Sequence, residues 1–230
     1  VVSFIADGRP VDLDGGLQAV LFDMDGLLID SERIWLEVET EVMASLGGAW
    51  GPQHQERLVG GPLHGTATYM LELSGAPASV AEVGEWLLDA MAERLRAHVP
   101  MLPGAKELLA AVQAQGLPSA LVSSTHRRVM EHALDGIGRE YFTVTIAGDE
   151  VAETKPHPEP YLTAIRRLGV TAGRCVVLED SPNGVAAAEA AGCTAVAVPS
   201  VVPIPAAAGR LVVESLCDLD LKRLAALVAT

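Results

Sequence analysis

The chain has 230 residues, 50% of them hydrophobic and 20% charged, enough to bury a continuous core without metal or disulfide staples, which excludes a peptide-sized or disordered scaffold. Lys and Arg number 16 against 30 Asp and Glu, a formal charge of −14, and that field repels nucleic acid and anionic lipid surfaces. An anionic substrate would therefore need a local lysine, helix N-termini or a cation to receive it.

The first element in chain order is the apolar run at 19–22, ending on the acidic, glycine-containing loop Asp23-Met24-Asp25-Gly26, which predicts a buried strand. From 32 to 99 the pattern is helical throughout. Trp35, Val38, Val42 and Leu46 recur every three or four residues until Gly47-Gly48, and further helices are predicted over 64–73 and 79–98. Then strands and helices alternate: helix 105–115, strand 119–122, helix 127–134, strand 144–147, helix 159–168, strand 175–178, helix 184–191 and strand 194–198. A Pro-rich loop over 199–205 leads to a last strand at 211–213 and a closing helix near 218–228. The strands are apolar on successive residues, as in parallel sheets covered on both faces. Such alternation implies an α/β, doubly wound parallel sheet. The organisation expected is a core of 17–31 and 100–230, an all-helical cap inserted at 32–99, and an N-terminal extension at 1–16.

In such a sheet ligands sit beyond the carboxyl ends of the strands. Those ends carry Asp23 and Asp25, then Ser123-Ser124-Thr125, then Lys155-Pro156, then Glu179-Asp180-Ser181. Four carboxylates crowded at one edge repel unless a cation joins them, and a hard divalent ion with oxygen ligands, Mg²⁺ foremost, fits that donor set. Zinc is disfavoured because no His or Cys accompanies the cluster. An anionic nucleophile in that field suits a phosphoryl electrophile. Read singly, each residue could be a turn residue, a helix cap or a solvated lysine; together at successive strand ends they point to chemistry.

The residues Asp23-Met24-Asp25-Gly26-Leu27-Leu28-Ile29-Asp30-Ser31, Ser123, Lys155-Pro156 and Glu179-Asp180-Ser181, in this order, resemble the four motifs of the haloacid dehalogenase superfamily. The resemblance is to its phosphatase branch with a helical cap, which includes sugar-phosphate phosphatases and β-phosphoglucomutase. It implies Asp23 as the nucleophile forming an aspartyl-phosphate, Asp25 as general acid and base, Ser123 on the phosphoryl group and Lys155 offsetting charge. It also implies Mg²⁺ held by Asp23, Asp180 and the backbone carbonyl of Asp25, with Glu179 in or next to the ligand set. Ser124, Thr125, His126, Arg57 and His64 are candidates for holding the rest of a small phosphorylated metabolite. A mutase resemblance would call for His where Trp35 stands and Arg where Leu63 stands, and both departures favour hydrolysis. A dehalogenase would give Asp25 no leaving alcohol to protonate. A receiver-like signalling domain would be about half this length without an inserted cap, and a noncatalytic phosphate-binding protein remains open on fold grounds alone.

Cys175, Cys193 and Cys217 form no CxxC and no even framework, so they are expected to be buried small residues in a reducing compartment. No apolar run approaches the roughly 20 residues that cross a bilayer. Residues 1–16 lack the basic start and apolar stretch of a signal peptide, so a cytoplasmic protein is expected.

Overall fold

The computed structural model describes residues 16–58 and 61–228; the expected N-terminal extension, apart from Gly16, lies outside them. The described strands are β1 (Ala19–Phe22), β2 (Ser119–Val122), β3 (Val144–Ile146), β4 (Cys175–Glu179), β5 (Thr194–Ala197) and β6 (Arg210–Val212). They form one parallel sheet in the order β3-β2-β1-β4-β5-β6. The chain winds outward in one direction from β1 to β3, then returns beside β1 and winds the other way. This order places a topological switch between β1 and β4, where the connections part and leave a crevice.

Alternate residues of each strand point to opposite faces. Val20, Phe22, Leu121, Val176 and Leu178 join one apolar cluster, while Ala19, Leu21, Ala120, Val122 and Val177 join the other. The first face is covered by α5 (Ala105–Ala114), α6 (Arg127–Ile137) and α9 (Leu221–Ala226); the second by α7 (Glu159–Leu168) and α8 (Pro182–Ala190). Burial on both faces is the reason these strands read as unbroken apolar runs.

Between β1 and β2 the chain makes α1 (Ser31–Ser45), α2 (Pro52–Leu58), α3 (Leu63–Ser74) and α4 (Val80–Ala97). Helix α4 starts on a capping box in which Ser79 and Glu82 exchange hydrogen bonds at 3.2 and 2.8 Å. It presents Val83, Leu87, Leu88, Met91 and Leu95, all buried, to its neighbours α1, α3 and α6. Two stretches of chain tie these helices to the sheet. They run side by side, with Asp30 N–H donating to Pro100 O at 2.8 Å and Leu102 N–H to Leu28 O at 2.9 Å.

Three expectations need correction. Helix α2 has no counterpart in the periodicity because Gln55 is its buried residue and the rest of Pro-Gln-His-Gln-Glu-Arg-Leu is polar or partly exposed. The closing helix is split: a 3₁₀ turn at Leu216–Asp218 ends on extended Leu219, and Asp220 then caps α9 by accepting from Arg223 N–H at 2.7 Å. Cys175 and Cys193 are buried as expected, but Cys217 is exposed, because Leu216 is the residue of that turn that faces inward.

Candidate active site

Asp23 comes directly after the last residue of β1, and its N–H is tied across the switch to Leu178 O of β4 at 3.0 Å. The chain then turns sharply. Gly26 sits at φ +72°, and its N–H donates to Ile29 O at 3.0 Å. A side chain there would be strained by the positive φ, and its Cβ would overlap the Asp180 carboxylate arriving from the end of β4. Glycine is thus required both by the turn and by the approach of a second acid.

Lys155 reaches the centre from the loop before α7 and is 3% exposed. Its ammonium donates to Asp23 Oδ1 at 2.5 Å, to Glu179 Oε1 at 2.5 Å and to Val122 O at 2.8 Å, which uses all three of its hydrogens. Glu179 is fully buried. Besides Lys155 it accepts from Tyr161 Oη at 2.6 Å, from the N–H groups of Asp180 and Ser181 at 3.1 and 3.4 Å, and from Ser181 Oγ at 3.2 Å. Five donors fill its acceptor sites and fix its position. Ser181 also caps α8 by accepting from Gly184 N–H at 3.1 Å, with Pro182 opening the helix. Asp180 receives a hydrogen bond from Ser200.

Asp25 is in different surroundings. It accepts from Ser31 Oγ at 2.8 Å and from Ser123 Oγ and Thr125 Oγ1, both at 2.9 Å, while Thr125 N–H donates to Ser123 Oγ at 2.9 Å. Two aspartates only two positions apart in the chain therefore have separate partners, one an ammonium and the other a set of hydroxyls.

Asp23, Glu179 and Asp180 are buried and bring carboxylate oxygens within 4.8 Å of one another. Burial pushes Asp23 well above the usual carboxylate range, the charge of Glu179 adds to this, and Lys155 only partly opposes it. Asp180 is raised by burial and then by Glu179. Burial works against the charge on Lys155, but the Asp23 and Glu179 carboxylates outweigh it and hold its pKa above the usual lysine value. A single ammonium among buried carboxylates leaves an excess of negative charge, and that excess, with an all-oxygen donor set, fits a hard divalent cation. Asp25 contributes no side-chain oxygen to this group.

Beyond these residues opens a cleft whose empty space, counting the solvent at its mouth, is about 740 Å³. Ser124, Thr125 and His126 line it on the sheet side, and Ser124 Oγ is buried with no hydrogen-bond partner. His126 is paired with Asp149 at 3.1 Å. Ser123 is not among the lining residues, since its hydroxyl is turned to Asp25. Arg57 and His64, expected at the substrate, do not line it either. Arg57 lies on the exposed side of α2 with its guanidinium 4.7 Å from the Tyr69 ring centre. His64 is exposed, because on α3 the inward face is that of Leu63 and Thr66, three residues apart. Trp35 and Leu63 both line the cavity, as do Glu39, Gln55 and Thr66, which no motif or periodicity singles out as site residues.

Residues 20–198 match the model of the haloacid dehalogenase-like hydrolases. The chain belongs to this family. This haloacid dehalogenase-like chain is 35% identical over 186 residues to hexitol phosphatase B of Escherichia coli, a match covering 79% of the chain and 83% of that protein. It is 33% identical over 180 residues to the phosphorylated carbohydrates phosphatase of Thermotoga maritima, covering 76% and 82%. Among solved structures, a CbbY mutant from Rhodobacter sphaeroides in complex with xylulose 1,5-bisphosphate superposes with a TM-score of 0.81 at 28% identity, covering 88% of this chain and 96% of that one.

Proposed function

We propose that this hydrolase is a Mg²⁺-dependent phosphatase of a small organic phosphomonoester, a sugar or polyol phosphate, acting through an aspartyl-phosphate. The observation that carries this reading is the separation of the two aspartates: Asp23 bound by Lys155, Asp25 bound by hydroxyls. Asp23 is ionised where the Lys155 ammonium and a bound cation would offset the burial that raises it, while Asp25, outside the carboxylate cluster, has its oxygens on hydroxyl groups and is placed for proton transfer.

Asp23 attacks phosphorus, and the ester P–O bond breaks as the bond to the Asp23 oxygen forms. Asp25 gives its proton to the departing alkoxide oxygen. As a carboxylate it then removes a proton from water, which attacks the aspartyl-phosphate, releases inorganic phosphate and restores Asp23. Ser123 orients Asp25, and Ser124 Oγ and the Thr125 region face the phosphoryl oxygens. Lys155 balances charge on Asp23 as the phosphoryl group approaches. Asp23, Asp180 and the backbone carbonyl of Asp25 would hold Mg²⁺, which when bound neutralises carboxylate and phosphoryl charge. Glu179, with its acceptor sites filled, keeps Lys155 and the Asp180 backbone in place. Residues 32–99 act as a cap over the core of 17–31 and 100–230, flexing at the paired linkers near Asp30 and Pro100 to admit substrate and exclude water.

The test is phosphate release from a panel of sugar, polyol and nucleoside monophosphates with Mg²⁺ or EDTA. Release should require Mg²⁺ and vanish in Asp23→Asn. Asp25→Asn should bind Mg²⁺ normally yet turn over about 10²–10⁴-fold more slowly. Full activity in EDTA or in Asp23→Asn would overturn the mechanism. Formation of glucose 6-phosphate from β-glucose 1-phosphate would replace hydrolysis by mutase activity, against the presence of Trp35 and Leu63 in the cavity wall.

A further inference from the structure

Of the three clustered carboxylates, Asp23 and Glu179 are held by the Lys155 ammonium. Asp180 is held differently. Its Oδ2 accepts a hydrogen bond from the hydroxyl of Ser200, a residue on the loop after β5 that belongs to none of the four motifs.

The sheet brings these two residues together. Strand β5 lies beside β4 with Ala197 opposite Glu179, and the ladder runs one residue further, Val198 N–H donating to Glu179 O at 2.7 Å. On its other side β5 is tied by Val213 N–H to Ala197 O at 2.9 Å. The two chains therefore leave the sheet from an anchored point. Asp180 is the next residue on one of them, and Ser200 follows on the other after Pro199, whose ring restricts the path of the loop. A third segment closes the arrangement. A Cβ at Gly26 would overlap Asp180 Oδ2 and crowd Ser200 Oγ, so the Gly26 turn packs directly on the bonded pair.

The two partners differ in burial. Asp180 is 3% exposed, whereas Ser200 is exposed and lines a second cleft, on the linker side, together with Gly26, Asp30 and Leu102. An exposed hydroxyl has water for a partner and loses little without this bond. The buried carboxylate gains more from it, because a hydroxyl on one oxygen stops the group turning about its Cβ–Cγ bond. Partners of this kind behind a ligating carboxylate are worth about 10–100-fold in metal affinity.

We propose that Ser200 is a positioning residue of the cation site: its hydroxyl fixes the rotation of the Asp180 carboxylate, so that Asp180 and Asp23 meet a divalent cation together. The proposal rests on the cation assigned to this cluster in the phosphatase reading and adds to it a residue from outside the motifs.

The experiment titrates MgCl₂ calorimetrically into the full-length protein freed of metal with EDTA, for the parent, Ser200→Ala and Ser200→Thr. Ser200→Ala should bind Mg²⁺ about tenfold more weakly, and Ser200→Thr, which keeps the hydroxyl and has the open cleft for its methyl group, should bind like the parent. In turnover of a phosphomonoester, the Mg²⁺ concentration for half-maximal rate should rise in Ser200→Ala by the same factor. Mg²⁺ binding by Ser200→Ala within twofold of the parent would overturn the proposal. So would an equal loss in Ser200→Thr, which would make the site one of packing rather than of the hydroxyl, or a lower kcat with unmoved Mg²⁺ dependence. A parent that binds Mg²⁺ but releases phosphate from no ester would sink the phosphatase reading, while the affinity difference between the variants would still sustain the role of Ser200. A parent that binds no Mg²⁺ would overturn both.

Discussion

Gly184→Ala is a severe test of the idea that Glu179 holds the centre together. In the first turn of α8 an alanine is intrinsically better than glycine by about 1 kcal/mol, so a helix-only view expects stabilisation. The structure expects the reverse. A Cβ at Gly184 would overlap the carboxyl carbon and both oxygens of Glu179, a side chain that is fully buried and bound by Lys155, Tyr161 and Ser181. To restore ordinary contact, the carboxylate must retreat by more than about 1 Å. Overpacking costs about 1–3 kcal/mol, and loss of one hydrogen bond to the buried charge costs about 1.5–3 kcal/mol. Less the helix gain, the net destabilisation is about 1.5–5 kcal/mol. Lys155 would move with Glu179, and a misplacement of that size in a catalytic group slows turnover by about 10²-fold. Urea unfolding and kcat measured on the same protein read both effects, with Gly173→Ala, an exposed site with open space around it, as the control. A Gly184→Ala protein as stable and as active as the parent would refute the claim that Glu179 is immobile.

Removing the ammonium should act on both stability and rate: Lys155→Met leaves Asp23 and Glu179 buried without their partner, at a cost of about 3–5 kcal/mol, and should lower kcat and kcat/KM together, whereas a rise in KM alone would make Lys155 a binding residue only. Glu39 supplies a pH test, since burial, only partly opposed by the Trp50 hydrogen bond, pushes it up from 4.5 to about 7. Between those two values the folded chain keeps a proton that the unfolded chain has lost, so the Glu39 contribution to stability falls as pH rises through that window, by about 3 kcal/mol at most. Glu39→Gln has no proton to lose, so its urea-derived stability should gain about 2–3 kcal/mol on that of the parent between pH 5 and pH 8, and a difference independent of pH would contradict the shift.

The sheet and the sheet-side residues were legible for one physical reason. Parallel strands covered on both faces must be short and apolar, and each must end where its backbone leaves the core. Asp23 and Ser123 directly follow apolar runs, Glu179-Asp180 closes another and Lys155 comes from the loop after β3, and the β3-β2-β1-β4 order brings them to one crevice. Tyr161 was not legible in this way. Its pattern in α7 is that of a core aromatic, and only its hydroxyl bond to Glu179 separates it from one.

The opposite wall obeys no such rule, because helices rather than strands build it, and a helix can direct a side chain toward the cavity from any turn. Arg57 and His64 stand out in the sequence as polar groups of the inserted segment, but residue type alone does not say which way a helical residue faces, and both are exposed and absent from the cavity lining. A signal for the inward residues was nevertheless present. Glu39 lies four residues after Trp35 and three before Val42, on the same stripe as Val38 and Val42, both buried. A carboxylate on the apolar stripe of an amphipathic helix either costs several kcal/mol or has a partner. Glu39 has Trp50 for one oxygen and the cavity for the other. Interrupted stripes of this kind, rather than exposed basic residues, are where the cavity-facing side of such a helical insertion is to be sought, since a polar group on an apolar stripe needs a partner that the core does not supply.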